Sequence, residues 1–195
     1  MSVPPTDSPA VAVAVAAPRR GRPPAPASRY DLDRDQLAAL LDGEPRYRVD
    51  QVWQGLYRQL AEPHELTTLP KALRAHLADA APSALEPVTE SASDGGTTVK
   101  WLWRLADGAL VETVLMHYDD RSTVCVSSQA GCAMACSFCA TGQQGFERHL
   151  TTGEIVEQVV QAARRARSDG RAPPGPHLRA RRLLRGPGAA RCADA

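Results

Sequence analysis

The chain has 195 residues, of which 43% are hydrophobic and 23% charged, with a formal net charge of +1. That composition is ordinary for a soluble protein and leaves room for one domain of usual size or two small ones. No run is long enough to cross a bilayer, and the apolar stretch AVAVAVAAP (Ala10 to Pro18) has no Lys or Arg before it, unlike an export signal; a cytoplasmic protein with no membrane association is expected.

Residues 1–28 are rich in Pro, Ala and Ser. Such a segment buries too little apolar surface to offset its ordering entropy, so a disordered tail is expected. Residues 30–86 read as a helical accessory domain. Leu37, Leu40 and Leu41 fit a short amphipathic helix, and Val52, Trp53, Leu56, Tyr57 and Leu60 fall on one face of a second, ended by Pro63. Leu69, Leu73 and Leu77 mark a third helix, with Thr68 as its N-cap and Pro70 in its first turn.

Residues 88–167 change period. Val99, Trp101, Trp103 and Leu105 alternate as one face of a strand, and Asp107-Gly108 is a tight-turn signal between two strands. DDRS makes a second turn, and TVCVSS reads as a third strand. A helix follows in TTGEIVEQVVQAARRA. Thr151 and Glu154 have capping-box spacing, and Ile155, Val156, Val159, Val160 and Ala163 form its buried stripe. Residues 168–195 hold mostly Arg, Pro, Gly and Ala, with no Ile, Val, Phe, Tyr, Trp or Met. No core can be built from them, and they read as a second disordered tail, basic where the body is acidic.

Four of the five cysteines lie in CVSSQAGCAMACSFC, residues 125–139. In a reducing compartment such thiols are metal ligands or redox groups rather than structural disulfides. Cys132, Cys136 and Cys139 form C-x3-C-x2-C in a loop between a strand and a helix. Three thiolates can hold three corners of a [4Fe-4S] cluster, leaving one iron open to a chelating small molecule, whereas full thiolate ligation takes four. Structural zinc also wants four ligands, commonly two C-x2-C pairs. Here there is one such pair, with Cys125 on the preceding strand as the only further thiol nearby. Iron–sulfur, zinc and simple burial all stand as readings of the spacing.

The three cysteines, with Phe138 just before the last, are similar to the radical S-adenosylmethionine signature. The longer string from Val111 to Val160 closely resembles the bacterial adenine-C2 RNA methyltransferases, which act on 23S rRNA and on some tRNAs. CVSSQ-GC before the loop and CATGQQGF after it carry most of that resemblance, which covers about residues 30–167. It implies an α+β N-terminal part, a small helical bundle plus a β-hairpin extension. This part would lead into the first β/α unit of an incomplete radical-SAM partial (β/α) barrel. It implies that Cys132, Cys136 and Cys139 ligate a [4Fe-4S] cluster, that S-adenosyl-L-methionine chelates the open iron, and that Phe138 packs near its adenine. Glu112 matches the family's proton acceptor and Cys125 its resolving cysteine. From the residues alone, Glu112 is a charge on a strand, and Cys125 is a buried strand cysteine or a redox thiol. The implied partners are 23S rRNA, tRNA and an external one-electron reductant, with the protein a monomer.

The resemblance fails after residue 167. The family continues with a GEP-type segment and a late methyl-carrying cysteine, whereas Cys192 stands alone in ARCADA. The tail reads as an out-of-frame segment, and an inactive, incomplete copy is expected. The alternative is a non-catalytic iron–sulfur or zinc RNA-binding module.

Overall fold

The computed structural model of the chain describes residues 28–132 and 145–171. Its first helix, α1 (Arg34–Leu40), begins at a reciprocal cap. Asp33 Oδ1 accepts from the Gln36 N–H at 2.8 Å, and Gln36 Oε1 accepts from the Asp33 N–H at 2.9 Å, so two otherwise unpaired amides are satisfied. Helix α2 (Tyr47–Gln54) widens into a π-helical turn, Gly55–Gln59, and stops at Leu60 in the left-handed region, φ 56°. The stop therefore precedes Pro63, which opens a 3-10 turn, Pro63–Glu65. Helix α3 (Lys71–Ala80) starts from Pro70 with no side-chain cap. Thr68 is not the cap expected from the sequence; its carbonyl accepts from Arg48 Nη1 at 2.9 Å. Leu37, Leu41, Val52, Leu56, Leu73 and Leu77 pack into one cluster, with Trp53 and Tyr57 partly buried against it.

Four strands follow: β1 (Glu86–Ser93), β2 (Thr98–Arg104), β3 (Leu110–His117) and β4 (Ser122–Val126). They form one antiparallel sheet in the order β1-β2-β3-β4. Val99, Trp101, Trp103 and Leu105 are all buried, and the two indoles stack at 5.9 Å. Thr113 and Val111 face the same core from β3. The Asp107-Gly108 turn closes as its sequence demands. Gly108 has φ +87°, its N–H donates to the Leu105 carbonyl at 2.8 Å, and the Asp107 carboxylate accepts from the Ala109 N–H. The extension is larger than the hairpin expected. Strand β1 adds a further rung, yet its residues are mostly exposed, so it has no apolar alternation to betray it.

Two short strands, β5 (Gln129–Gly131) and β6 (Phe146–His149), pair antiparallel with each other. Helix α4 (Thr152–Ser168) follows, and its Thr151–Glu154 capping box is present as read from the sequence. The helix lies between both hydrophobic clusters. Ala162 and Ala166 pack with the strands, while Val160 packs with α1 to α3. Contact on two sides explains why burial extends past the apolar stripe to Glu154, Glu157 and Gln158. The fold is mixed α/β, and every strand pairing among the described residues is antiparallel. No helix among them is long and apolar enough to cross a membrane.

Candidate functional site

Strands β5 and β6 carry the two ends of the cysteine loop. They meet at a neck where the Cys132 N–H donates to the Gly145 carbonyl at 2.9 Å. Gly131 makes this possible. Its φ is +68°, and a Cβ there would sit 1.8 Å from the Gly145 oxygen, so the two backbones approach as only glycine allows. Cys132 is half-buried with a free thiol. Cys136, Phe138 and Cys139 lie outside the described residues. Among the described residues no three His, Cys, Asp or Glu side chains converge to hold a metal ion. Cys132 at the loop's root, with two more cysteines within the next seven positions, belongs to a donor set of the kind an iron–sulfur cluster takes.

Cys125 and Glu112 share the outward face of the sheet. Cys125 pairs with Val114 in the β3–β4 register, and Glu112 lies two positions before Val114 on β3, on the same side. Diagonal neighbours of this kind are about 7–8 Å apart. The opposite face carries Val111, Thr113, Val124 and Val126, all buried. Glu112 is half exposed and pairs with Lys100 Nζ at 2.6 Å, an ion pair that water screens to under about 1 kcal/mol. Cys125 is half-buried, with a free thiol.

The exit from the loop is fixed by Arg148 on β6. Its guanidinium grips Glu154 with two hydrogen bonds of 2.7 Å and Asp107 with one of 2.5 Å. Glu154 is buried, so this is a charge-assisted fork in a partly dry setting. The Glu154 bonds, with those to Asp107, raise the guanidinium's pKa further against burial. Burial alone would raise the Asp107 pKa, but the bonds from Arg148 and the Ala109 N–H outweigh it and hold the carboxyl below its usual range. The entry to the loop is held by Gln158, whose side-chain amide bonds both the N–H and the carbonyl of Ser127 at 2.9 Å.

The sequence reading put Cys125 on a strand, Glu112 on the strand after the turn and Cys132 at the loop's start, and all three stand there. It did not find Arg148, Ser127 or Gln158. The only available signal was the i, i+4 spacing of Glu154 and Gln158, which also suits a solvent-facing helix edge.

No family model matches the chain. Curated relatives do. The probable dual-specificity RNA methyltransferase RlmN of Salinispora tropica is 50% identical over 162 residues, covering 82% of this chain and 44% of the relative. That of Rhodococcus jostii is 49% identical over 162 residues, with the same shares. That of Corynebacterium efficiens is 47% identical over 157 residues, 79% of this chain and 42% of the relative. The chain thus spans less than half the length of these relatives. Among solved structures, a radical SAM methyltransferase from Sphaerobacter thermophilus matches with a TM-score of 0.70 and 54% identity, over 75% of this chain and 44% of that one.

Proposed function

We propose a catalytic role for this chain, which belongs by homology over 79–82% of its length to the radical SAM family of dual-specificity RNA methyltransferases. The role is methyl transfer to carbon 2 of an adenine in 23S rRNA and tRNA, carried out in the cytoplasm by a monomer served by an external one-electron reductant. The observation that carries it is the neck at Cys132 and Gly145, which fixes the first cysteine of C-x3-C-x2-C at the end of β5, a strand in contact with β3, which bears Glu112.

In this reading Cys132, Cys136 and Cys139 hold a [4Fe-4S] cluster, and Phe138 packs near the adenine of S-adenosyl-L-methionine. The cluster and S-adenosyl-L-methionine together supply the radical that activates an otherwise inert methyl group. Two of the chain's own residues take part in the transfer, which this chain alone does not complete. Glu112, open to the outward face, accepts the proton from adenine carbon 2. Cys125, on the same face, is the thiol that would attack the sulfur of a methyl-carrying cysteine, breaking that sulfur's bond to the modified base and forming a disulfide with it. Its thiol is partly accessible and outside the ligand set, but this sequence offers no match for the second cysteine. Residues 30–86 act as the accessory domain, and residues 88–167 as the extension and the first β/α unit of a partial barrel, with β4 leading through the loop into α4.

The test is anaerobic reconstitution of the full 195-residue chain with iron and sulfide. A [4Fe-4S] absorbance that disappears in Cys136→Ala and persists in Cys125→Ala is the expected result. Stoichiometric zinc uptake without iron would instead indicate a non-catalytic binding module.

A further inference from the structure

We propose that Gln158 is a positioning residue: through Ser127 it sets the end of the β3–β4 pair, and with it Glu112, Cys125 and the chain's entry into the cysteine loop. The catalytic roles of Glu112 and Cys125 rest on the reading above; the positioning itself rests on geometry.

Gln158 is 0% exposed, and its amide has no spare capacity. Oε1 accepts from the Ser127 N–H and from the Thr113 hydroxyl, each at 2.9 Å. Nε2 donates to the Ser127 carbonyl at 2.9 Å and to the Glu154 carbonyl at 3.1 Å. Two acceptor sites and two hydrogens are all that an amide offers. Trp103 Nε1–H donates to Thr113 Oγ1 at 3.0 Å, which leaves the threonine proton free to point at Gln158. The glutamine oxygen must then face Thr113, and the orientation of the amide follows from the network.

Gln158 therefore meets Ser127 as a neighbouring strand's peptide group would, with one donor and one acceptor. This matters because the backbone pairing of β3 with β4 ends at Thr113 and Val126. One residue further, the Ser127 hydroxyl takes over. It accepts from the Glu112 N–H at 3.3 Å and donates to the Glu112 carbonyl at 2.8 Å. Gln158 holds Ser127, and Ser127 holds Glu112. A strand end without such a grip is free to slip, and a slip of one residue turns every side chain to the opposite face. Cys125 and Glu112 would then leave the face they share.

The experiment is residue-resolved native-state hydrogen exchange on the metal-free 195-residue chain, with Gln158→Met, which is close in shape but apolar, and Ser127→Ala. In Gln158→Met the Ser127 and Glu112 amides are expected to exchange at least about tenfold faster, while Leu115 in mid-strand keeps its protection; tenfold corresponds to about 1.4 kcal/mol. In Ser127→Ala the Glu112 amide should lose protection and the Ser127-position amide, still held by Gln158, should keep it. An unchanged Ser127 rate in Gln158→Met, an equal loss at Leu115, or an unprotected Ser127 in the unaltered chain overturns the proposal. Iron uptake is measured separately on the same three proteins. An unaltered chain that binds no cluster sinks the catalytic reading, and the exchange pattern then judges the positioning role alone.

Discussion

The carboxylate of Asp31 accepts a 2.6 Å hydrogen bond from the backbone N–H of Gly153, 122 positions away along the chain. Ser28 adds its N–H and hydroxyl to the same carboxylate, and Thr151 its hydroxyl. A residue before α1 thus caps the first turn of α4. A Cβ on Gly153 would lie 2.5 Å from Asp31 Cγ, so the glycine is there for close approach. An anion at a helix N-terminus also sits well with the helix dipole.

That contact makes stability acid-sensitive. Burial works to raise the Asp31 pKa, but the bonds from Gly153 and Ser28 prevail and hold it below the usual carboxylate value. A depressed folded pKa contributes stability that is present above the unfolded value. It is lost as pH falls through the folded one. Melting temperature should therefore fall with pH below about 4, the unperturbed range for Asp. In Asp31→Asn the fall should be shallower, and the variant should be less stable at neutral pH by about 1–2 kcal/mol, as for a lost helix cap. Parallel pH profiles for the two proteins would show that the contact does not carry this sensitivity.

Arg148 is expected to matter more than its partial exposure suggests. It is the charge partner of buried Glu154 and half-buried Asp107. Arg148→Ala would strand the Glu154 carboxylate in a dry setting, at a cost of about 3 kcal/mol. Arg148→Lys supplies a point charge without the fork and should recover less than half of that loss. Lys100→Met is the contrast. The Lys100–Glu112 pair is close to half exposed on both sides, so its loss should change stability by less than about 1 kcal/mol. Urea unfolding of the three variants checks the order, and a Lys100 effect as large as that of Arg148 would contradict it.

Much of this frame was legible because local chemistry and global packing agree there. Trp101 and Trp103 alternate, Asp107-Gly108 turns, and Thr151 caps α4, each a short-range rule that the fold keeps. Three things were not legible. Strand β1 is an exposed edge, paired through its backbone with β2, and backbone pairing leaves no letter in the sequence. Helix α2 ends at Leu60 in a left-handed conformation that a leucine does not advertise. Gln158 is buried because α4 touches two cores, and a buried amide and a solvated one are the same residue. The site divides the same way. Cys132 follows from motif spacing and Cys125 and Glu112 from the family resemblance, while Arg148 and Gln158, which hold the loop's ends, depend on contacts of long range.

Gly131→Ala tests the neck. The new methyl would stand 1.8 Å from the Gly145 oxygen, at a backbone φ of +68°. A side chain in that region costs about 1–2 kcal/mol before any clash, and the clash is with backbone, which has no rotamer to escape into. The Cys132–Gly145 hydrogen bond should open, with loss of most iron–sulfur uptake and a modest change in melting temperature. Gly145→Ala meets no atom within 4 Å and carries only the strain of φ +78°, so it should keep more of the cluster. Equal uptake by Gly131→Ala and the unaltered chain would show that the neck does not govern the thiols.

The 195-residue chain taken alone is expected to hold a cluster yet leave adenine unmethylated. The family resemblance requires a methyl-carrying cysteine in addition to Cys125. The only cysteine after Cys139 is Cys192, and its ARCADA setting does not match. Glu112 is half exposed and paired with Lys100, so it stands in water. A carbon-centred radical takes hydrogen from any thiol or weak C–H bond that reaches it, and radical methyl transfer therefore needs a closed pocket that keeps such donors out. The curated relatives have further length with which to build one, since the part matched here covers 42–44% of them. The assay combines reconstituted protein, reductant, labelled S-adenosyl-L-methionine and ribosomal RNA lacking the modification. Label on adenine carbon 2 that disappears in Cys125→Ala would show that these residues suffice, and that the enclosure inferred to be necessary is not.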